Sequence, residues 1–396
     1  ETIARAFLAG PLETGAAVER ASAVMGKKPR WLPGLARRFV RAFFQGVRPR
    51  FRDAVRFLRD DGFLEGRSLP PVVRWLMEPP VMQPAVNWGV PAIVTVGELA
   101  AWAGAAVGEL EWLADLRGLA RPGHYHYQTV AKQSGAVRLL EAPKARLKEL
   151  QRRILREILD RAPGHEAAHG FRARRSARTF AAVHAGQRVV LRMDLRDFFP
   201  SIGRSRVQAI FRMMGYPEAV ADLLGGLCTN AAPEGGPLYE QPHLPQGAPT
   251  SPALANLCFY RADCRLAGLA RAAGLRYARY ADDLAFSGDS IADAFRDRVG
   301  AIILEEGYCL QYRKTRLMRQ GVRQKLAGLV VNERPNVDRA AFDLLKATLH
   351  RCVLRGPGEA SREELMGRIA WVESGNAGRG RKLRALWDRI DWGARG

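Results

Sequence analysis

The chain has 396 residues, and 47% of them are hydrophobic, enough for folded cores in more than one structural unit. Its 62 Lys and Arg against 40 Asp and Glu leave a formal charge of +22. That surplus favours a nucleic-acid partner, although an Arg-rich compositional bias would raise the count too. The five cysteines have no paired spacing and the seven histidines form no zinc-type cluster, which sets aside a disulfide scaffold and a zinc module and suits a reducing cytoplasm.

Residues 1–123 read as a helical N-terminal extension, with LARRFVRAFFQG and FRDAVRFLRDDGFL as helices and Phe51, Val55 and Leu58 on one stripe. Paired prolines in PPVVRWLMEPPVMQP stop helices. GVPAIVTVGELAAWAGAAVGEL, from Gly89 to Leu110, reads as a buried helix and not a membrane span, because glutamates interrupt or close it. The chain start carries no signal-peptide pattern, so a cytoplasmic protein without membrane contact is expected. The extension serves either RNA contact or packing alone.

From His124 to Lys144 the pattern turns to a strand pair around Ser134-Gly135, carrying Lys132 and Arg138. Pro143 is expected to open a helix whose Leu147, Leu150, Ile154 and Ile158 share a face. Pro163-Gly164 ends it, and the basic FRARRSARTF follows, with Arg172, Arg174 and Arg175. VVLRMD then reads as a buried strand ending at Asp194. After a helical interval and a long loop-rich passage, ALANLCFYRADCRLAGLARAAG reads as one helix. KLAGLVVN reads as a strand, and residues 337–396 as helices closing in a basic tail.

YARYADDLAFSG places Asp282 and Asp283 between two short strand-forming arms, which suits a tight turn. Adjacent aspartates also suit a solvent-facing turn. If the hairpin packs beside the Asp194 strand, however, three carboxylates converge, and their desolvation and mutual repulsion require compensation. Divalent cations provide it: Mg²⁺ prefers hard oxygen ligands, and two such ions can drive an in-line phosphoryl transfer.

RMDLRDFFPSI, LPQGAPTSP with ALAN behind it, and YADD resemble the core motifs of reverse transcriptases, and the finer pattern is similar to the bacterial retron-type branch. KQSGAVRLLEAPKARLKELQRRILREIL resembles the opening fingers motif, AHGFRARRSARTFAAVH the segment after it, and YRKTRLMRQGVRQKLAGLVVN the distal palm and primer grip. The resemblance implies an α+β right-hand polymerase: fingers and palm over 124–336 with an antiparallel palm sheet, and a helical thumb with a basic tail over 337–396.

It further implies that Asp194, Asp282 and Asp283 are the catalytic, metal-binding aspartates for two Mg²⁺, with Mn²⁺ as a substitute. Phe199 matches the residue that excludes a ribose 2′-OH, and Gln246 and Gly247 the loop framing the nucleotide. Lys132 and Arg138 match the triphosphate-binding fingers residues, and Lys314 the lysine near the phosphates. His184, Leu326, Ala327, Gly328, Arg172, Arg174 and Arg175 fall in segments associated with RNA or primer.

Two departures stand out. Phe180 replaces the Asn of the branch's Asn-Ala-two-residues-His motif, and Leu326-Ala327-Gly328 replaces its Val-Thr-Gly. They imply an atypical subgroup or a related reverse transcriptase outside the retron systems. The expected partners are a structured non-coding RNA serving as template and primer, the RNA–DNA product, dNTPs and an effector protein. A maturase-like enzyme and a non-catalytic RNA-binding scaffold are the rival readings.

Overall fold

The computed structural model describes residues 1–43, 49–64, 88–116, 118, 123–131, 137–356 and 361–392. The chain divides into two compact units, Glu1–Gln83 with Ala92–Leu99 and Pro84–Pro91 with Ala100–Gly396. In the first, α1 (Thr2–Leu8), α2 (Thr14–Met25), α3 (Leu32–Ala42) and α4 (Phe51–Asp60) enclose Phe7, Val18, Leu32, Leu35, Phe39, Ala54 and Leu58. Buried Arg20 donates to the carbonyls of Ala6 and Phe7, groups that the end of α1 leaves without helical partners. Phe51 does not join the buried stripe: it is exposed, with the Arg5 guanidinium 4.8 Å from its ring centre. The paired-proline segment lies outside the described residues.

The expected single helix over 89–110 is two, α5 (Val96–Ala103) and α6 (Val107–Ala114), parted at Gly104 with φ +62°. No helix among the described residues is long and apolar enough to cross a membrane.

In the second unit, β1 (Tyr125–Ala131) and β2 (Val137–Pro143) form an antiparallel pair, and α7 (Ala145–Glu157) follows. Pro143 closes β2 instead of opening the helix, whose N-cap is Lys144. Leu147, Leu150, Ile154 and Ile158 are all buried. Then come α8 (Ala177–Val183), β3 (Val189–Asp194), α9 (Arg204–Met213) and α10 (Glu218–Leu227). The next helical stretch is α11 (Ser251–Cys258) and α12 (Tyr260–Ala272), divided at fully buried Phe259. No glycine or proline marks that break.

The remaining elements are β4 (Arg276–Tyr280), β5 (Asp283–Gly288), α13 (Asp293–Glu305), β6 (Arg316–Arg319), β7 (Lys325–Leu326), β8 (Leu329–Val330), β9 (Asn336–Val337), α14 (Arg339–Arg355), α15 (Arg362–Glu373) and α16 (Ala377–Trp387). Four strands make one antiparallel sheet in the order β4-β5-β3-β6. The chain is thus a mixed α+β protein with antiparallel sheets.

The sheet shares its core with the C-terminal helices: Val190, Ala278 and Ala285 cluster with Leu345, Leu349, Ile369, Leu383 and Trp387. The basic stretch expected as a tail is therefore largely α16, anchored by Leu383 and Trp387. KLAGLVVN is not one strand but the hairpin β7–β8, turning at Ala327 (φ +45°) and Gly328 (φ +81°). Two positive φ values in a two-residue loop match the right-handed twist of the flanking strands. Alanine is strained there, because its Cβ crowds the following carbonyl. Ala327→Gly is expected to raise stability by about 0.5–1 kcal/mol, read as a higher denaturation midpoint with an unchanged m-value. A lower midpoint would show that the Ala327 methyl is held by packing that outweighs the strain.

Candidate active site

The β4–β5 hairpin closes through Ala281 and Asp282, with Tyr280 paired to Asp283. Ala281 has φ +54°, a conformation usually reserved for glycine at the first loop position of such a turn. Two neighbours seat it. Leu195 N donates to Asp282 O at 2.9 Å, continuing the β3–β5 ladder past its last pair. Gly170 lies so close that a Cβ there would fall 2.6 Å from Ala281 N.

The register of β3 against β5 sets Asp194 opposite Asp283, so the two segments bring the three carboxylates to one end of the sheet. Asp194 is buried and accepts from Lys314 Nζ at 2.9 and 3.0 Å. Asp283 accepts from Arg192 Nε at 2.8 Å. Among the described residues no cation hydrogen-bonds to Asp282: burial, then the charges of Asp194 and Asp283, push its carboxyl up to about 6 against a weaker downward pull from Lys314. Burial also raises Asp283, outweighing the opposite pull of Arg192.

Hard carboxylate oxygens crowded until their repulsion shifts a protonation equilibrium are the donor chemistry that a divalent cation relieves, so the residues fit such an ion. As placed, no group of three or more His, Cys, Asp and Glu side chains among the described residues is arranged to hold one. Lys314 and Arg192 occupy two of the carboxylates instead.

Phe199 is half-buried beside the aspartate strand, edge-on to Phe171 at 6.2 Å between ring centres. Gln246 and Gly247 are pinned to β2: Glu141 N donates to Gln246 O at 2.8 Å. At Gly247 (φ +132°) a Cβ would stand 3.0 Å from Glu141 O, so the close approach of the two segments depends on glycine. Arg138 is exposed on β2, while Lys132 lies outside the described residues. Arg174 and Arg175 are exposed.

Three residues expected at an RNA or primer surface are placed otherwise. His184 is fully buried at the end of α8, with Nδ1 2.7 Å from Ser287 Oγ, and burial drives its imidazole down to about 3. It is a neutral core histidine. Leu326 is fully buried as well, and Ala327 is half-buried against the same core, so that Gly328 alone of the three is exposed. Arg172 is committed to its own loop through bonds to His165 O and Ala168 O.

Sequence reasoning missed Arg192, Phe171 and Glu141. Phe171 is half exposed at φ +59°, between Phe199 and Tyr280. A bulky residue at positive φ has no sequence signature. Glu141 could have been found: it falls on the inward set of β2 with Leu139 and Pro143, where a carboxylate must have partners. Those partners are His243 Nε2 at 2.9 Å and Asn230 Nδ2 at 2.8 Å.

A family model described as reverse transcriptase (RNA-dependent DNA polymerase) matches residues 130–335. The retron Mx65 reverse transcriptase of Myxococcus xanthus is 42% identical over 307 residues, covering 75% of this chain and 72% of that protein. The chain belongs to the retron-type reverse transcriptases. The retron Mx162 enzyme of the same organism is 36% identical over 331 residues, covering 76% of this chain and 68% of that protein. The retron Ec86 enzyme of Escherichia coli is 31% identical over 272 residues, covering 67% and 81%. This retron-type enzyme is accordingly an RNA-directed DNA polymerase, and dependence on divalent metal goes with its domain.

A carboxyl at about 6 in the folded enzyme, against about 4 when unfolded, means that folding takes up a proton. Ionised Asp282 therefore destabilises the fold above about pH 6, and that cost vanishes as the pH falls toward about 4. In EDTA, Asp282→Asn is expected to stabilise the enzyme by about 1–3 kcal/mol at pH 8 and by nothing at pH 4. Denaturant titrations at both pH values check this, and equal midpoints at pH 8 would contradict it.

Proposed function

We propose that this enzyme copies a structured non-coding RNA into DNA with dNTPs, starting from an internal RNA 2′-OH and leaving RNA and DNA joined at a branch, within an antiphage retron system. The observation that carries the polymerase chemistry is the convergence of Asp194 with Asp282 and Lys314 at one end of the four-stranded sheet. In this reading that sheet is the palm, the β1–β2 hairpin belongs to the fingers, α14–α16 form the thumb, and residues 1–123 are an added helical extension. The likeness to retron enzymes supports the priming mode and the setting.

Asp194 and Asp282 are the residues that would hold two Mg²⁺, with Asp283 a weaker third because Arg192 already engages it. Bound there, the ions would supply Lewis-acid activation of the primer hydroxyl and charge for the departing pyrophosphate. The side chains supply the rest. Lys314 pairs with Asp194 while remaining more than half exposed, so its ammonium can turn to the triphosphate and donate a proton or positive charge. Arg138, with Lys132, holds the triphosphate, Arg for its planar fork.

Phe199 offers a ring edge where a ribose 2′-OH would collide. Gln246 and Gly247 border the nucleotide, held in place by Glu141. The exposed Arg174 and Arg175 and the Ala327-Gly328 turn meet the RNA or primer backbone, where positive charge suffices without base recognition.

Asp194→Ala and Asp282→Ala are each expected to lower nucleotide incorporation by at least about 10³-fold, and Lys314→Ala by about 10²-fold, with RNA retention unchanged. Incorporation retained by Asp282→Ala would remove this site from the chemistry. Sequencing of the co-purified nucleic acid tests the priming: a branched RNA–DNA molecule is expected, and linear DNA grown from a 3′ end would place the enzyme with non-retron relatives.

A further inference from the structure

Beneath the carboxylates lies an ion pair that the chemistry above does not use. Arg279 on β4 and Asp263 on α12 are both completely buried, and they meet through two bonds, Nε to Oδ1 at 3.0 Å and Nη2 to Oδ2 at 2.7 Å. Tyr277 donates its hydroxyl to the same Oδ1 at 2.7 Å. The remaining guanidinium nitrogen, Nη1, donates to Ala281 O at 3.0 Å, on the strained residue immediately before Asp282. The Arg279 backbone is fixed too, donating to Ala167 O and accepting from His169 N, both at 2.7 Å.

The guanidinium also lies 4.7 Å from the ring centre of Phe259 and 5.8 Å from that of Phe198, and Phe198 is edge-on to Phe199 at 5.7 Å. One buried cation thus touches the carbonyl that orients the catalytic turn and the ring that backs Phe199. Stability alone does not explain it. Desolvating two charges costs as much as their attraction returns, and apolar replacements of similar volume are often neutral or stabilising. What an apolar pair cannot supply is a third N–H, beyond the two that hold Asp263, aimed at Ala281 O.

We propose that the Asp263–Arg279 pair is a positioning element that sets the orientation of Asp282 and, through Phe198, of Phe199. It rests on the reading of Asp282 as catalytic and of Phe199 as the sugar-sensing ring. Asp263 orients the fork, the fork holds the Ala281 carbonyl, and the carbonyl fixes the peptide leading into Asp282. Lysine cannot replace arginine here, because a single ammonium cannot bond both carboxylate oxygens and the Ala281 carbonyl in this fan.

The test compares Arg279→Lys, the apolar double variant Asp263→Leu with Arg279→Met, and Tyr277→Phe in the full chain. Each is assayed on poly(rA)·oligo(dT) with dTTP or UTP, beside melting temperature and template–primer binding. Arg279→Lys and the double variant are expected to lower kcat about 10²-fold, as an ångström-scale misplacement does. The KM for dTTP should stay within about threefold, and the preference for dTTP over UTP should narrow. The double variant should melt no lower than the parent.

Parental kcat and parental sugar preference in either folded variant would overturn the proposal. If neither folds, Tyr277→Phe decides, since it keeps both charges: a several-fold drop in kcat supports the proposal and a parental value overturns it. Two controls separate this from the underlying reading. Asp282→Ala with full activity would discard the site itself, and Phe199→Ala with an unchanged sugar preference would discard only the gate.

Discussion

Everything at the site follows from one electrostatic constraint: three carboxylates are brought together at the end of a sheet whose interior is apolar. The β3–β5 register makes the encounter unavoidable, because the same ladder that buries Val190 and Ala285 sets Asp194 opposite Asp283. The chain answers with cations of its own, Lys314 on Asp194 and Arg192 on Asp283, while Asp282 takes up a proton more readily than an ordinary carboxyl. Such a site is held back from its lowest free energy by the fold around it. The strain at Ala281 and the close approach of Gly170 are further signs of a turn that the rest of the molecule over-determines.

The aspartate-bearing hairpin was legible in the sequence because two short apolar arms around Ala-Asp-Asp suit a tight turn, and VVLRMD reads as a buried strand. The helices were legible wherever apolar residues recur at helical intervals, as in α7. Boundaries failed where no residue announces them. Phe259 interrupts a helical pattern by burying its own ring, without glycine or proline, and Ala327 turns a hairpin at a position where Asn or Gly would have signalled one.

Buried charge was the other blind spot. Nothing in the sequence singled out Arg279 within a strand or Asp263 between Arg261 and Arg265 on a helix, since a charged residue inside becomes intelligible only with its partner in view. Arg261 and Arg265 do face outward, where they meet Glu306. His184 is the converse case. A histidine in a segment associated with RNA proves to be a neutral core group against Ser287.

The shared core of the four-stranded sheet and the last three helices has a consequence for how this enzyme can come apart. Val190, Ala278 and Ala285 are covered in part by residues more than fifty positions downstream, so cutting before α14 would lay open the underside of the sheet that carries the aspartates. Functional subdivisions drawn along the chain therefore need not be units of cooperative unfolding. A nascent chain that has just finished its last strand still lacks the wall against which its four-stranded sheet must close.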